Sequence, residues 1–143
     1  MIEDEVRFFT VEEANRALPL VRRIVADILE ENERLEELLP RLQEARRQGG
    51  PELEAVREAV ARASAGVEGY LAELDQIGCL FKGAPQGLVD FYARRDGRPV
   101  FLCWQYGEEA VQHWHELDAG YAGREPLVPA SLLDGEAPGG RVD

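Results

Sequence analysis

Residues 88–105 read LVDFYARRDGRPVFLCWQ, and this stretch decides how the chain folds. An Asp-Gly pair between two runs of alternating apolar residues is a strong signal for a two-residue β-hairpin turn. With Asp96 and Gly97 at the centre of that turn, Asp90 pairs with Cys103 on the returning strand. The predicted strands are Leu88–Ala93 and Pro99–Tyr106, with a further short strand over residues 79–82.

This pairing divides the hairpin into two faces. One face is apolar and must pack on another element, which we expect to be the base of a helical arm: Val89, Phe91, Ala93, Val100, Leu102 and Trp104. The other face carries Asp90 opposite Cys103 among aromatic side chains. A carboxylate in such surroundings needs partners or water, and it suits the wall of a pocket.

Two long helices are predicted before the hairpin. The capping box Thr10-Val11-Glu12-Glu13 starts the first helix at residue 10 or 11. A seam of apolar residues with one polar member, Asn32, then recurs at alternating intervals of three and four, through Pro19: Leu18, Val21, Val25, Ile28, Asn32, Leu35, Leu39 and Leu42. Gly49-Gly50 interrupts this pattern, and the second helix repeats it from Leu53 to Ile77 before Gly78 ends it. Matching seams joined by a short turn predict an antiparallel, coiled-coil-like helical hairpin over residues 10–77.

Flanking leucines on this arm also need cover, which favours a homodimer built by packing two arms together: Leu20, Leu29, Leu38 and Leu71. After the β-hairpin we predict a helix from Glu108 to about Leu117, which would point His113 and His115 in different directions. A glycine-rich loop at residues 118–124 could then close over the polar face of the hairpin. The fold class is therefore α+β, a helical hairpin followed by a small antiparallel sheet and a short helix.

We expect residues 1–127 to form a single domain, with the helical arm at 10–77 and a module made of the β-hairpin and a helix at 78–127. The tail, residues 128–143, is rich in proline and glycine and should be loosely ordered, apart from a short turn at 130–133. The net charge of −12 disfavours nucleic acid and anionic membranes as partners. With an acidic start, no long apolar run and two cysteines, the chain is expected to be cytoplasmic with both thiols reduced.

Two strings of residues resemble a known family. The first is Phe9-Thr10-Val11-Glu12-Glu13-Ala14-Asn15 followed by Leu18-Pro19-Leu20-Val21. The second is Gly87-Leu88-Val89-Asp90-Phe91, then Asp96-Gly97-Arg98, Cys103-Trp104, Gly107-Glu108, Trp114-His115-Glu116 and Gly123-Arg124. They are similar to the two signatures of the bacterial family called domain of unknown function 2203, over residues 8 to about 127. The resemblance implies no activity. The family usually has proline at the position of Tyr92 and tyrosine at the position of His113, which favours His115 as the shared histidine.

Ligand-type side chains concentrate between residues 78 and 124, where both cysteines, both histidines and the single lysine, Lys82, are found. The candidate ligand-binding residues are Asp90, Cys103, Glu108 and Arg124, and the candidate metal ligands are His115 and Glu116. Ordinary structural roles stay open for them, since cysteine is commonly a core residue and histidine a hydrogen-bonded boundary residue.

Three classes of function fit this sequence. The first is a dimeric binding protein whose polar pocket takes a divalent metal or a small anion. The second is an adaptor whose acidic arm docks onto another protein. The third is an enzyme that uses Cys103 or the pair His115 and Glu116.

Overall fold

The chain begins with a long helical hairpin, seen in a computed structural model that describes residues 6–128. Helix α1 spans Val11–Gln48 and helix α2 spans Pro51–Ile77. The Thr10 hydroxyl accepts a hydrogen bond from the Glu13 amide, and the Glu13 carboxylate accepts one from the Thr10 amide. The predicted capping box and the start of α1 are confirmed.

Glycines make both reversals of the hairpin. Gly49 and Gly50, with φ of 71° and 87°, join the two helices in two residues. Gly78 ends α2 with a φ of 106°, and its amide donates to the Leu74 carbonyl. Glycine adopts positive φ without the penalty that a Cβ atom imposes, so the chain turns back sharply at both places. The predicted helical hairpin is confirmed.

The seam of α1 differs from the prediction near its far end. Leu18, Val21 and Leu42 are buried as expected, but Leu39 is 49% exposed and Leu38 takes the buried position at 6%. Both leucines lie three or four residues from Leu35 and Leu42, so spacing alone does not choose between them. The prediction that Leu39 lies in the seam is therefore wrong.

A five-stranded antiparallel sheet follows the helices, with the strands adjacent in sequence order. The strands are β1 (Cys79–Gly83), β2 (Leu88–Arg95), β3 (Arg98–Gln105), β4 (His113–Glu116) and β5 (Glu125–Pro126). Asp96 and Gly97 both have positive φ, 55° and 77°, as the favoured two-residue hairpin turn requires. The predicted register is confirmed, with Asp90 opposite Cys103.

The helix predicted from Glu108 to Leu117 is wrong. Residues 113–116 form β4, in which His113 lies opposite Cys103 and His115 opposite Phe101. Local sequence permits a helix there, but the free edge of β3 offers backbone hydrogen-bond partners that a four-residue strand can use. Within residues 79–128, helical structure is limited to a 3-10 turn at Tyr121–Gly123.

The apolar face of the sheet packs against α1, as the sequence predicts. Phe91, Leu102 and Trp104 are fully buried at the centre of this contact. The shared core comprises Ala14, Leu18, Val21, Ile24, Val25 and Ile28 from α1, Leu74 from α2, and Cys79, Val89, Phe91, Ala93, Val100, Leu102, Trp104 and Trp114 from the sheet. The opposite face of the sheet is left to carry polar groups.

The loop before β4 is fastened to α1 by side chains of that helix. The Asn15 side-chain oxygen accepts from the Val111 amide at 2.7 Å, and its nitrogen donates to the Val111 carbonyl at 3.4 Å. Arg22 donates to the Glu109 carbonyl at 3.0 Å. These bonds fix where β4 begins, and so they fix the position of both histidines.

No helix within residues 6–128 has the length and apolar character needed to cross a membrane. The turn predicted at residues 130–133, and the tail beyond Val128 as a whole, lie outside the described residues.

Candidate functional site

Three ligand-type side chains meet on the polar face of the sheet. Asp90 on β2, Cys103 on β3 and His115 on β4 all point to this face because side chains alternate along each strand. One donor atom from each lies within 4.8 Å of the other two. Their exposures are 3%, 1% and 3%, so the group is shielded from bulk water. We call these three residues the Asp–Cys–His cluster.

A backbone carbonyl fixes the orientation and tautomer of His115. Its Nδ1 atom lies 2.7 Å from the carbonyl oxygen of Glu116. A carbonyl can only accept, so Nδ1 carries a proton and donates it. The other ring nitrogen, Nε2, faces Asp90 Oδ1 at 3.2 Å. That contact needs a proton too, carried either by the imidazole or by the carboxyl group.

Asp90 is the centre of the cluster. Besides His115, its carboxylate accepts a hydrogen bond from the Cys103 thiol, and its Oδ2 lies 4.0 Å from the Lys82 ammonium. Burial raises the pKa of Asp90, and His115, Lys82 and Cys103 offset that rise only in part. The charged form of this carboxylate is thus disfavoured even beside Lys82, and a closer cation would stabilise it.

The surroundings of Cys103 disfavour its thiolate form. Burial and the neighbouring Asp90 carboxylate raise the pKa of Cys103 to about 12. Reactive cysteines instead have lowered pKa values, because the thiolate is the attacking species. The alternative in which Cys103 alone serves as a catalytic nucleophile therefore loses support.

A cavity of about 240 Å³ opens onto the cluster. Its wall is formed by Lys82, Leu88, Asp90, Cys103, His115, Leu117, Gly120 and Tyr121. Gly120 and Tyr121 belong to the glycine-rich loop, so this loop lies beside the polar face of the sheet. The cluster is therefore buried yet reachable from one side.

Glu108 and Arg124, both predicted ligand-binding residues, form a separate group next to the cavity. Arg124 donates to Glu108 at 2.9 Å, to the Cys103 carbonyl at 3.3 Å and to His113 Nδ1 at 3.0 Å. Burial favours a higher pKa for Glu108, but the hydrogen bonds from Arg124 and the Gln105 amide lower it overall. Arg124 therefore binds Glu108 and not Asp90. Its hydrogen bonds connect Glu108 to β3 and β4, and neither residue of the pair belongs to the cavity wall.

Glu116 does not join His115, contrary to the predicted metal pair. The two are adjacent in a strand, so their side chains point to opposite faces of the sheet. Glu116 is half exposed and forms an ion pair with Arg98 on the other side. The hypothesis of an acid–base pair made of His115 and Glu116 fails for the same reason.

Lys82 and Tyr121 line the cavity although neither was among the predicted site residues. Lys82 reaches Asp90 because β1 pairs with β2 and places Leu80 opposite Asp90. Residues two apart in a strand share a face, so pairing β1 with β2 would have shown Lys82 beside the site. A β-bulge between Phe81 and Gly83 interrupts that pairing, and the sequence carries no clear signal for it.

The architecture defines a small α+β protein whose sheet carries a buried cluster of metal-ligand type. The chain belongs to the family described as uncharacterized conserved protein (DUF2203), whose model matches residues 7–127. No curated protein and no solved structure shows significant similarity to the chain.

Proposed function

We propose that this chain is a metal-binding protein that holds one divalent ion of the zinc type at Asp90, Cys103 and His115. Thiolate sulfur, imidazole nitrogen and carboxylate oxygen are the donors that zinc takes in proteins. The three donors come from three neighbouring strands, so the sheet itself fixes their spacing. Three protein ligands leave a fourth position of a tetrahedral ion for another ligand.

The observation that carries this proposal is the orientation of His115. Histidines that bind metals commonly donate their second ring N–H to a carbonyl or carboxylate, which aims the free nitrogen at the ion. Nδ1 of His115 donates to the Glu116 carbonyl, and Nε2 faces Asp90 Oδ1 at 3.2 Å, within a group of donor atoms that all lie within 4.8 Å of one another. A cation between these atoms would replace the proton that the His115–Asp90 contact otherwise needs.

The experiment measures metal content and cobalt spectra in matched variants. Full-length protein prepared without an affinity tag is loaded with Zn²⁺ or Co²⁺, and bound metal is counted by mass spectrometry. We expect about one ion per chain, and a thiolate-to-cobalt absorption band in the near ultraviolet. Cys103→Ser should abolish that band. His115→Gln removes a direct ligand and should weaken metal binding more than tenfold, since tenfold is the smaller effect of changing a residue that only orients a ligand.

The chain offers a control for each variant. Cys79 is as buried as Cys103 but lies in the apolar core, with its thiol 3.6 Å from the Leu74 carbonyl. His113 lies two residues from His115 but accepts from Arg124. Cys79→Ser and His113→Gln should therefore keep the metal. Absence of metal from the wild-type protein, or its retention in both cluster variants, would contradict the proposal.

Homodimerisation through the helical arm stays a prediction, as does a cytoplasmic location. Exposed leucines on the arm support the dimer, since Leu20 and Leu71 are 45% and 37% exposed. Light scattering of the wild-type protein and of a Leu20→Glu, Leu71→Glu variant tests it. A monomeric wild-type protein would rule the dimer out. The exposed leucines would then be explained by the adaptor hypothesis, in which the arm docks onto another protein.

A further inference from the structure

The fourth position of the proposed metal ion would face a cavity of defined size. Asp90, Cys103 and His115 all belong to the wall of the cavity of about 240 Å³. This volume is below the roughly 300–1,000 Å³ of pockets that take drug-sized ligands, so the cavity suits a small ligand.

The charges around the cavity select the sign of such a ligand. The two positive charges of the ion would be balanced by the Asp90 carboxylate and a Cys103 thiolate. The charge of Lys82 then remains, held near the cluster by Asp90 at 4.0 Å and by the Phe101 ring at 5.0 Å. Among residues 6–128, Asp90 and Lys82 are the charged side chains of the cavity wall, so this wall carries one excess positive charge when the ion is bound. Such a field attracts a ligand with one negative charge.

The other side chains of the wall are largely apolar, so they favour an anion that has a hydrocarbon part. Leu88 and Leu117 contribute aliphatic surface, and Tyr121 contributes an aromatic ring. Leu117 is 43% exposed and Tyr121 is 47% exposed, so both leave apolar surface in contact with water beside the buried polar cluster. A short hydrocarbon chain in the cavity would remove part of this apolar surface from water.

We propose that the loaded site binds a small aliphatic monocarboxylate, whose carboxylate contacts both the metal ion and the Lys82 ammonium. Its hydrocarbon part lies against Leu88 and Leu117, beneath Tyr121. Lys82 is then a ligand-binding residue of the cavity. This inference rests on the metal site proposed above.

The test uses cobalt-loaded, full-length protein titrated with sodium butyrate and followed by visible absorption. A carboxylate that enters the coordination shell changes the intensity and position of the cobalt bands. We expect a saturable change with the wild-type protein. Lys82→Met should keep the cobalt spectrum and weaken butyrate binding at least tenfold. Butanol and butylamine, which lack the negative charge, should leave the bands unchanged.

The control variant is Arg16→Met, which removes one positive charge from α1, where Arg16 is exposed and paired with Glu12. It has the same net charge as Lys82→Met and should bind butyrate like the wild type. If no cobalt–thiolate band appears, the metal proposal itself fails. If cobalt binds but butyrate leaves the bands unchanged, or binds Lys82→Met as tightly as the wild type, the monocarboxylate inference alone is overturned.

Discussion

Phe91 and Asp90 are neighbours in β2, yet they lie in opposite environments. Phe91 points to the face that packs on α1, is fully buried, and meets the Phe9 ring edge-on at 5.1 Å between ring centres. Asp90 points to the other face, where it is equally shielded but contacts a histidine, a thiol and a lysine. One face joins the sheet to the helix, and the other presents a cluster whose charged forms are disfavoured.

Two adjacent residues of β2 therefore have different roles. Phe91 stabilises the fold, and Asp90 belongs to the proposed metal site. Burial of apolar side chains stabilises the fold in proportion to the area removed from water. Burial of a carboxylate and a thiol has an unfavourable effect unless a proton or a cation accompanies them. Because the polar face buries a carboxylate and a thiol, the fold depends for its stability on the apolar face that packs on α1. The following predictions change each face in turn.

The largest effect is expected at the apolar face. Phe91→Ala leaves a cavity in the core and should lower the free energy of unfolding by about 3–5 kcal/mol. Denaturant titration monitored by circular dichroism measures it. The folded fraction of this variant should still bind one metal ion, because Phe91 points away from the cluster. A change below about 1 kcal/mol would show that the sheet does not depend on this face.

A second effect, somewhat smaller, concerns the pH dependence of metal affinity. Because the pKa of Cys103 is raised to about 12, the thiol keeps its proton at neutral pH and must release it when metal binds. Binding also displaces the proton of the His115–Asp90 contact, so affinity should rise at least tenfold per pH unit, or at least about 100-fold from roughly pH 6 to pH 8. Competition with a chelator of known zinc affinity measures it. Cys79→Ser should show the same slope, and a pH-independent affinity would contradict the use of Cys103 as a ligand.

The smallest effect is expected from Asp90→Asn in the metal-free protein. Burial raises the pKa of Asp90, so wild-type stability falls as the pH rises from the ordinary aspartate range toward that raised pKa. An amide can donate to His115 Nε2 and does not titrate, so this variant should avoid the fall and stay within about 1 kcal/mol of the wild type. Thermal melts from acid to neutral pH test the sign.

The same Asp90→Asn variant should lose metal affinity, since an amide is a poor ligand for zinc. Its control is Glu116→Gln, on the opposite face. The hydrogen bond from Arg98 lowers the pKa of Glu116, so that pair stabilises the fold above the ordinary glutamate range and less so as the pH falls. Glu116→Gln should leave metal binding unchanged. A destabilisation by Asp90→Asn as large as that of Phe91→Ala would mean that Asp90 contributes to stability as much as the apolar face does.

The sequence predicts most of the scaffold because its signals are local. The capping box at Thr10 marks the start of α1, and the Asp96-Gly97 turn sets the register that places Asp90 opposite Cys103. The seam is less certain, since Leu38 and Leu39 satisfy the same spacing. These features depend on backbone conformations that a few adjacent residues determine by themselves.

The site is harder to predict because its last strand is defined by a distant partner. His113-Trp114-His115 alternates polar and apolar residues, which is a strand signal, but the acidic residues before it resemble a helix start. Pairing with β3 decides in favour of the strand. The errors at Glu116 and the omission of Lys82 follow from the same cause, since each depends on which strand lies alongside.

The bonds between Asn15 and Val111 join residues 96 positions apart. During synthesis, the helices emerge from the ribosome well before the sheet that covers the apolar side of α1. Contacts between such distant parts of a chain form slowly, and apolar surface exposed in the meantime invites aggregation. We therefore expect the nascent helical hairpin to need shielding, by a chaperone or by the ribosome surface, until the sheet has been synthesised.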